Sequence, residues 1–349
     1  MIDEVFFSQK LELNPEIIKS NKSYDTILIG SSSLAIEIIY QLAILSNLSE
    51  QNILNLYIID SQAKKFYAKL KKLFTGIEKI PHLNILTIEL ETESKEFYAN
   101  EIWMKEDLTS IIIATQNKKK DLEITMNLQK NTLIKAQILS NISLKNKELE
   151  SIAKLINYLY REIKYNPNLL FTEQNKNEAQ KLWLEKASTE DKKSSKMQSL
   201  HIDTKLLALG LKKQKSTKSP KELLKINKKI FDKKLGFREI DDQKLQEYAQ
   251  KFYDSKNHFK PIYFPKKFES LFEKLIRSEH NRWNTYHHLN GWVYSKNKDK
   301  KLKYHDCLMP LEKFDKDHLK TTIIFDIYAV VYIPNILASA GIELYIAGE

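Results

Sequence analysis

The chain has 349 residues, which is too long for one ordinary domain and suits two or three. Its apolar (42%) and charged (29%) fractions are typical of a globular protein, and no apolar run approaches the eighteen residues of a membrane-spanning helix. The single cysteine, Cys307, excludes an internal disulfide and the acidic N-terminus lacks a signal-peptide layout, so we expect a soluble, cytoplasmic protein without a transmembrane segment.

The net charge of +11 is unevenly distributed along the chain. Residues 1–143 contain 16 Lys and Arg against 18 Asp and Glu, so the positive excess lies in the remainder. Such asymmetry can indicate an acidic partner. Here the lysines are scattered among Asn, Glu and Ile, and no basic stripe alternates with aromatic residues as in single-strand binding. The pattern therefore argues against nucleic acid as a partner and favours solvated helix surfaces.

Residues 1–143 alternate short apolar segments with stretches of helical periodicity. The predicted strands cover residues 24–29, 54–59, 84–88, 110–114 and 137–139. Strands that alternate with helices indicate a parallel sheet with crossover helices. We therefore predict an α/β, Rossmann-like domain over residues 1–143, followed by a mostly α-helical part.

The first strand leads into a glycine turn, a helix, a second strand and then an acidic residue, which is the layout of a dinucleotide-binding fold. Against the pattern G-x-G-x-x-G/A, the chain has Gly30, Ser32 and Ala35. A side chain at Ser32 blocks the closest backbone approach to a pyrophosphate, although serine hydroxyls can donate to phosphate. The competing interpretation is a turn without a ligand. The candidate residues for NAD or another adenine nucleotide are Gly30, Ser31, Ser32, Ser33 and Asp60.

This half also resembles the TrkA-N type of Rossmann domain, with residues 111–116 (Ile-Ile-Ile-Ala-Thr-Gln) in the place of that family's fourth strand. The resemblance adds Thr115 to the candidate cofactor-binding residues. It also implies a regulatory role, because TrkA-N domains gate channels. A channel or other effector would then have to be a separate chain.

Residues 144–220 are predicted to be a helical connector. Its last part, residues 212–220 (Lys-Lys-Gln-Lys-Ser-Thr-Lys-Ser-Pro), is typical of a flexible linker. Residues 183–210 also parallel residues 311–341, since each reads as a helix pair closed by a glycine. This similarity indicates a degenerate half-repeat, although left-handed glycines at helix ends explain it equally well.

The predicted C-terminal domain, residues 221–349, concentrates unusual residues. Two of the four arginines and two of the four tryptophans lie within residues 277–292. All of these except Arg277 belong to two ordered motifs, residues 279–283 (Glu-His-Asn-Arg-Trp) and 291–294 (Gly-Trp-Val-Tyr), which are followed by residues 305–310 (His-Asp-Cys-Leu-Met-Pro).

These motifs resemble the RyR domain, a module named after the ryanodine receptor repeats and also found in bacterial proteins. The family signature is E-H-x-R-W at a helix end, a G-W-x-Y turn and then H-x-x-L-x-P. The resemblance covers residues 268–344 and includes a closing motif at 332–342; it departs at Ser295, where bacterial members commonly have glycine.

The motif residues suit a ligand cleft with flat apolar walls and a few polar donors. A ring could stack between aromatic side chains while an arginine meets a phosphate. The competing interpretation places both tryptophans in the core, with Trp283 the better cleft candidate. The candidate ligand-binding residues are His280, Arg282, Trp283, Trp292, Tyr294 and His305.

The sequence offers no convincing catalytic residues. Glu279 cannot orient His280, because adjacent helical residues point about 100° apart. The spacing of His280 to His287 and His288 is not that of helical zinc ligands, so we expect no metal.

We therefore expect a non-enzymatic sensor or regulatory protein that binds a nucleotide-like small molecule through the RyR cleft, the Rossmann domain or both. The alternative is an NAD(P)-dependent oxidoreductase or nucleotide-processing enzyme with the RyR domain as a lid. A protein-interaction scaffold is a third hypothesis. The oligomeric state stays open, with a homo-oligomer among the possibilities.

Overall fold

The computed structural model describes residues 23–47, 52–140, 147–162, 169–235, 266–314 and 316–346. The chain divides into two compact units. The first comprises Met1–Asn146 with His287–Val293, and the second comprises Lys147–Tyr286 with Tyr294–Glu349. Apart from residues 144–146 and 287–293, the predicted connector and the predicted RyR domain therefore belong to one unit. The stretch 236–265 of the predicted RyR domain lies outside the described residues.

A five-stranded sheet forms the centre of the first unit. The strand order is β3-β2-β1-β4-β5, and every neighbouring pair is parallel. This is the doubly wound order of Rossmann-like folds, so the predicted fold class is confirmed. The strands are β1 (Tyr24–Ile29), β2 (Leu54–Asp60), β3 (Leu83–Glu89), β4 (Leu108–Ile113) and β5 (Gln137–Leu139).

Helices flank this sheet, and the strands are therefore nearly continuous apolar runs. All six residues of β1 are buried, and Ile27 and Ile29 pack in one cluster with Ile111 of β4 and with Trp103. The helices are α1 (Ser33–Leu45), α2 (Ala63–Leu73), α3 (Lys95–Tyr98) and α4 (Lys118–Gln129), with 3-10 turns at Ile77–Lys79 and Glu101–Met104.

The second unit is mostly helical, as predicted. Two of its helices begin at reciprocal capping boxes, in which Thr172 pairs with Asn175 and Ser188 pairs with Asp191. The helices are α5 (Lys147–Glu162), α6 (Glu173–Glu185), α7 (Thr189–Ala208), α8 (Pro220–Leu235), α9 (Lys266–Leu289), α10 (Lys316–Val331) and α11 (Ile333–Ser339), with a 3-10 turn at Leu311–Lys313.

The prediction of a flexible linker over residues 212–220 is wrong for its first half. Leu211–Lys215 forms strand β6, which pairs antiparallel with the C-terminal strand. Leu211 and Lys213 are the more buried positions of β6 and Lys212 and Gln214 are exposed, so an amphipathic strand was hidden in a Lys-rich sequence. The remaining strands are β7 (Val293–Tyr294), β8 (Tyr304–His305) and β9 (Ile342–Ile346).

One hydrophobic cluster holds the helices of the second unit together. Residues of α5, α7, α9, α10 and α11 contribute to it, including Ile156, Ile202, Ile276 and Ile327. Among the helices in the described ranges, none combines the length and the apolar composition needed to cross a membrane.

Candidate functional site

A cavity of about 670 Å³ opens in the second unit. Its walls come from α5, α7, α9 and α10 and from the segment between residues 298 and 307. This volume falls in the range of roughly 300–1,000 Å³ that is usual for ligand pockets. Four of the six predicted RyR-cleft residues line it: His280, Arg282, Trp283 and His305.

Arg282 forms part of the cavity wall, but two of its three guanidinium nitrogens form hydrogen bonds with a buried carboxylate. Glu279 and Arg282 are three residues apart on α9 and therefore share one helix face. Nε and Nη2 of Arg282 donate to Oε1 of Glu279 at 3.0 and 2.7 Å. Both side chains are only 1% exposed. Among the described residues, Nη1 of Arg282 has no hydrogen-bond partner.

The second carboxylate oxygen of Glu279 is held from α7. Nζ of Lys205 donates to Oε2 at 2.5 Å, and Nδ1 of His201 lies 3.4 Å from the same oxygen. Burial alone would raise the pKa of Glu279, but Arg282 and Lys205 beside it hold that pKa well below its ordinary value. Glu279 is therefore a carboxylate shared between two cations.

Burial also acts on the basic side chains around Glu279. Burial lowers the pKa of Lys205, against the opposing effect of Glu279. Burial also lowers the pKa of His201 to about 4, which keeps this imidazole neutral near neutral pH. Arg282 and Lys205 both bond to the carboxylate of Glu279, and Asp326 also acts on both of them electrostatically.

His280 is fixed by two hydrogen bonds. Nε2 lies 2.8 Å from the carbonyl oxygen of Met309, which can only accept, so Nε2 carries a proton. Nδ1 lies 3.1 Å from Oδ2 of Asp326. Burial raises the pKa of Asp326, although His280 opposes this effect. The two contacts hold the His280 ring between the backbone of Met309 and the side chain of Asp326.

Trp283 supplies the aromatic surface of α9. Its ring stacks on His280 with centroids 6.2 Å apart, and the His305 ring meets it edge-on at 4.8 Å. Burial lowers the pKa of His305 to about 4, and Lys298 adds to this effect. A neutral imidazole and an indole therefore form a flat, uncharged corner of the cavity.

Nδ1 of His305 accepts a hydrogen bond of 3.1 Å from the backbone N–H of Cys307. Ligating atoms of His305, Asp306 and Cys307 lie within 4.8 Å of one another, a spacing compatible with a cation. The backbone bond occupies one imidazole nitrogen, so the arrangement is first explained as a tight turn. The expectation of no metal stays a prediction.

The wall formed by α5 and α7 was not predicted. Arg161 of α5 donates to Asp191 of α7 at 2.7 Å, and the ring of Tyr160 stacks on Phe325 of α10 with centroids 5.9 Å apart. Buried Asn157 has its Nδ2 3.4 Å from Oγ of Ser195. Arg161 is one of only four arginines, which was the one available sequence signal.

Two predicted cleft residues do not line this cavity. Trp292 is buried within the segment that belongs to the first unit, and its ring meets His287 edge-on at 5.4 Å. Tyr294 is 47% exposed at the end of β7. The structure therefore brings residues of the helix motif and His305 to one cavity, and neither aromatic residue of the turn motif lines it.

The predicted Rossmann residues collect at the carboxyl ends of β1, β2 and β4. The loops after β1 and β4 lie at the topological switch point, where ligands of doubly wound sheets bind. Gly30 has φ +111°, and a Cβ there would lie 2.8 Å from the carbonyl oxygen of Ala114. Asp60 ends β2, and its Oδ1 accepts from the backbone N–H of Gln62 at 2.9 Å.

The three serines differ in how they are engaged. Ser32 caps α1 by accepting from Ala35 N at 3.1 Å, and its Oγ donates to Ala114 O at 2.5 Å. Ser33 Oγ lies 2.9 Å from Nε2 of Gln116, whereas Ser31 is half-buried beside them. Ser32 therefore uses its hydroxyl to join the two loops, at the place where a glycine would admit a pyrophosphate.

Thr115 is part of the same edge. Its Oγ1 donates to Asp121 at 2.5 Å, and its backbone N–H donates to the same carboxylate oxygen at 3.1 Å. These bonds fix the start of α4. They leave Thr115 near the switch point, but they commit its hydroxyl to the protein.

Residues 258–324 match the family model of the RyR domain. The match includes all three signature motifs, covers less than half of the chain and ends before the closing motif predicted at residues 332–342. Neither the curated proteins nor the solved structures gave a match to the chain. The RyR resemblance is thus confirmed for this segment, and the TrkA-N resemblance stays a prediction.

Proposed function

We propose that this chain is a non-enzymatic regulatory protein that binds a small, anionic, nucleotide-like molecule in the cavity of the second unit. The observation that carries the proposal is Nη1 of Arg282. This charged donor is buried at the cavity wall and has no partner among the described residues.

The hydrogen bonding of Arg282 supports an anionic ligand. A buried guanidinium costs free energy unless each donor is paired. Glu279 satisfies Nε and Nη2, but it also neutralises Lys205. An anionic oxygen of a ligand would pair Nη1, the one guanidinium nitrogen that Glu279 leaves without an acceptor. Lys298, exposed at the same cavity, adds long-range attraction for such a group.

The aromatic residues support a ligand that also has a ring. Trp283 and His305 form an uncharged corner, and Tyr160 and Phe325 present a stacked pair on the α5–α10 side. Flat rings bind such surfaces by stacking. A phosphate joined to a nucleobase combines both requirements, which is why we propose a nucleotide-like ligand.

Binding without turnover is the simpler proposal for this cavity. The titratable side chains around it bond mainly to one another, as in the pairs Glu279–Arg282, His280–Asp326 and Arg161–Asp191. A general acid or base needs a proton that it can exchange with substrate. These groups are better placed to define the shape and charge of a binding site.

The first experiment identifies small molecules released from the purified, denatured protein by mass spectrometry and measures nucleotide binding by calorimetry. Arg282→Lys keeps the charge but loses the planar fork, so we expect at least tenfold weaker binding. Arg277→Lys is the matched control, because Arg277 pairs with Glu273 one turn earlier and does not line the cavity. Equal binding by both variants and the wild type would refute the proposal.

We propose the switch point of the first unit as a second candidate site, for NAD or another adenine nucleotide. The strand order and the left-handed Gly30 support it, and the engaged hydroxyl of Ser32 weighs against it. When bound, the helix N-terminus with Ser31 and Ser33 would hold the pyrophosphate, and Asp60 would hold a ribose hydroxyl.

Calorimetry with NAD tests this second site. Asp60→Ala should abolish binding, whereas Glu89→Ala, its register neighbour on β3, should not. Ser32→Gly keeps most of the cap and should tighten binding by removing the obstructing side chain. Unchanged affinities in both would mean that the glycine turn is only a turn. Turnover of NAD(P)H by the wild type would instead favour the alternative of an oxidoreductase with the RyR domain as a lid.

A further inference from the structure

Part of the cavity wall is not supplied by the RyR motif. It comes from α5 and α7, which lie outside the segment that matches the RyR family. Four of its side chains are uncharged and can form hydrogen bonds: Asn157, Ser194, Ser195 and Gln198. The same wall also carries Arg161 and Asp191, which pair with each other, so these four side chains are its neutral polar groups.

Asn157 has an unmet hydrogen-bonding requirement on this wall. It is 6% exposed, and its Nδ2 has one long bond of 3.4 Å to Ser195. Its Oδ1 has no partner within the part of the chain that the structure describes. A buried amide oxygen without a donor is costly, and such groups are rare in folded proteins. A ligand that brings an N–H group to Oδ1 would remove this cost.

We propose that Asn157 is the residue that determines ligand specificity, by accepting a hydrogen bond from the exocyclic amine of a nucleobase. This inference rests on the proposed nucleotide site and names the part of the ligand that meets the α5 wall. An asparagine side chain can also donate from Nδ2 to a ring nitrogen next to that amine, as in its usual pairing with adenine. Bases that carry an oxo group in place of the amine would leave Oδ1 facing another acceptor.

Two unpaired groups therefore define complementary ends of one ligand. Nη1 of Arg282 requires an acceptor, and Oδ1 of Asn157 requires a donor. Both residues line the same cavity. A molecule with a phosphate at one end and an amino-bearing base at the other satisfies both.

Two matched ligand pairs test this inference by calorimetry on the full-length protein. AMP and IMP differ by an amine against an oxo group in a purine, and CMP and UMP differ in the same way in a pyrimidine. We expect the amino member of at least one pair to bind at least tenfold tighter than its oxo partner. Ribose 5-phosphate, which lacks the base, measures the contribution of the phosphate end.

Asn157→Leu should abolish the preference for the amino member of each pair and leave binding of ribose 5-phosphate unchanged. Arg282→Lys should weaken the binding of ribose 5-phosphate. If Asn157→Leu does not fold, Asn157→Asp provides the second test, because it keeps an acceptor and should retain the preference. Equal binding within each pair, or tighter binding of the oxo members, would overturn the role of Asn157 and leave the nucleotide site standing. Binding of none of the five probes would instead overturn both proposals.

Discussion

Glu279 joins two helices of the second unit through buried ion pairs. Its carboxylate accepts from Arg282 on its own helix and from Lys205 on α7. Breaking a buried ion pair by removing one partner leaves the other charge uncompensated, which costs more than the pair contributes. The residue is therefore a structural support for the cavity wall as well as a determinant of its charge.

Glu279→Gln should destabilise the protein by about 3–5 kcal/mol, because Arg282 and Lys205 would stay buried without a carboxylate. Urea unfolding followed by circular dichroism measures the change. Glu273→Gln, which removes the less buried partner of Arg277 one turn earlier, is the control and should cost about 1 kcal/mol or less. Equal decreases in the free energy of unfolding would show that the cost does not depend on how deeply the ion pair is buried.

Histidine protonation should also influence stability. Burial lowers the pKa of His201 from 6.5 to about 4, despite the opposing effect of Glu279. Between these values the unfolded chain binds a proton that the folded chain does not, so stability decreases as pH falls from about 6.5 to about 4. His305, with a pKa also near 4, acts in the same direction.

His201→Gln should therefore flatten the dependence of the unfolding free energy on pH, by up to about 1.4 kcal/mol per pH unit within that window. Urea titrations at intervals between pH 4.5 and 7 measure the slope. The double variant with His305→Gln should be flatter still. Parallel curves for wild type and His201→Gln would contradict the neutral state of the buried imidazole.

At the level of secondary-structure elements, two strands begin directly after the glycines that end the preceding helices. α7 is followed by Gly210 (φ +66°) and β6, and α11 is followed by Gly341 (φ +74°) and β9. Gly210 and Gly341 are separated by the same number of residues as Lys213 and Leu344, which pair at the centre of the two strands. The pair is therefore symmetric about its centre, which supports the half-repeat that stays a prediction.

The glycines allow a graded test of backbone strain. Gly210→Ala and Gly341→Ala should each lower the free energy of unfolding by about 1–2 kcal/mol, the cost of a left-handed backbone with a side chain. No steric clash adds to this cost, because a Cβ at either position would have no atom within 4 Å. Gly30→Ala should cost more, since its Cβ would also meet the Ala114 carbonyl oxygen at 2.8 Å. Unfolding midpoints and slopes rank the three variants. A Gly30 variant as stable as the other two would contradict the close approach of the two loops.

At the level of the whole molecule, the two units offer two separate candidate sites. A ligand in the cavity should slow amide exchange in α5, α7 and α9, because binding to the folded state suppresses local opening. A ligand at the switch point should instead protect the start of α1 and the loop after β4. The location of protection therefore assigns the ligand to one unit.

Hydrogen exchange with saturating AMP should show protection in the second unit and little change across β1–β5. Arg282→Lys at the same AMP concentration is the control and should lose most of the protection. Protection confined to residues 30–35 and 114–117 would assign AMP to the Rossmann site. That outcome would contradict the proposed use of the cavity.

Local patterns explain which parts of this structure could be predicted. The parallel sheet followed from short apolar runs separated by helical periodicity. Pairing of β6 with β9 could not be predicted, because its partner lies far away in sequence and lysine is a poor strand signal.

The sequence by itself determined the alternation of elements, the glycine turn after β1 and the RyR motif, since each depends on residues close together in the chain. Only the tertiary structure decided which motif residues share a cavity: Asn157 and Arg161 line the same cavity as Arg282, whereas Trp292 and Tyr294 do not line it. The physical reason is that burial and unpaired polar atoms arise from packing between distant helices. A single sequence does not encode these contacts in any local spacing.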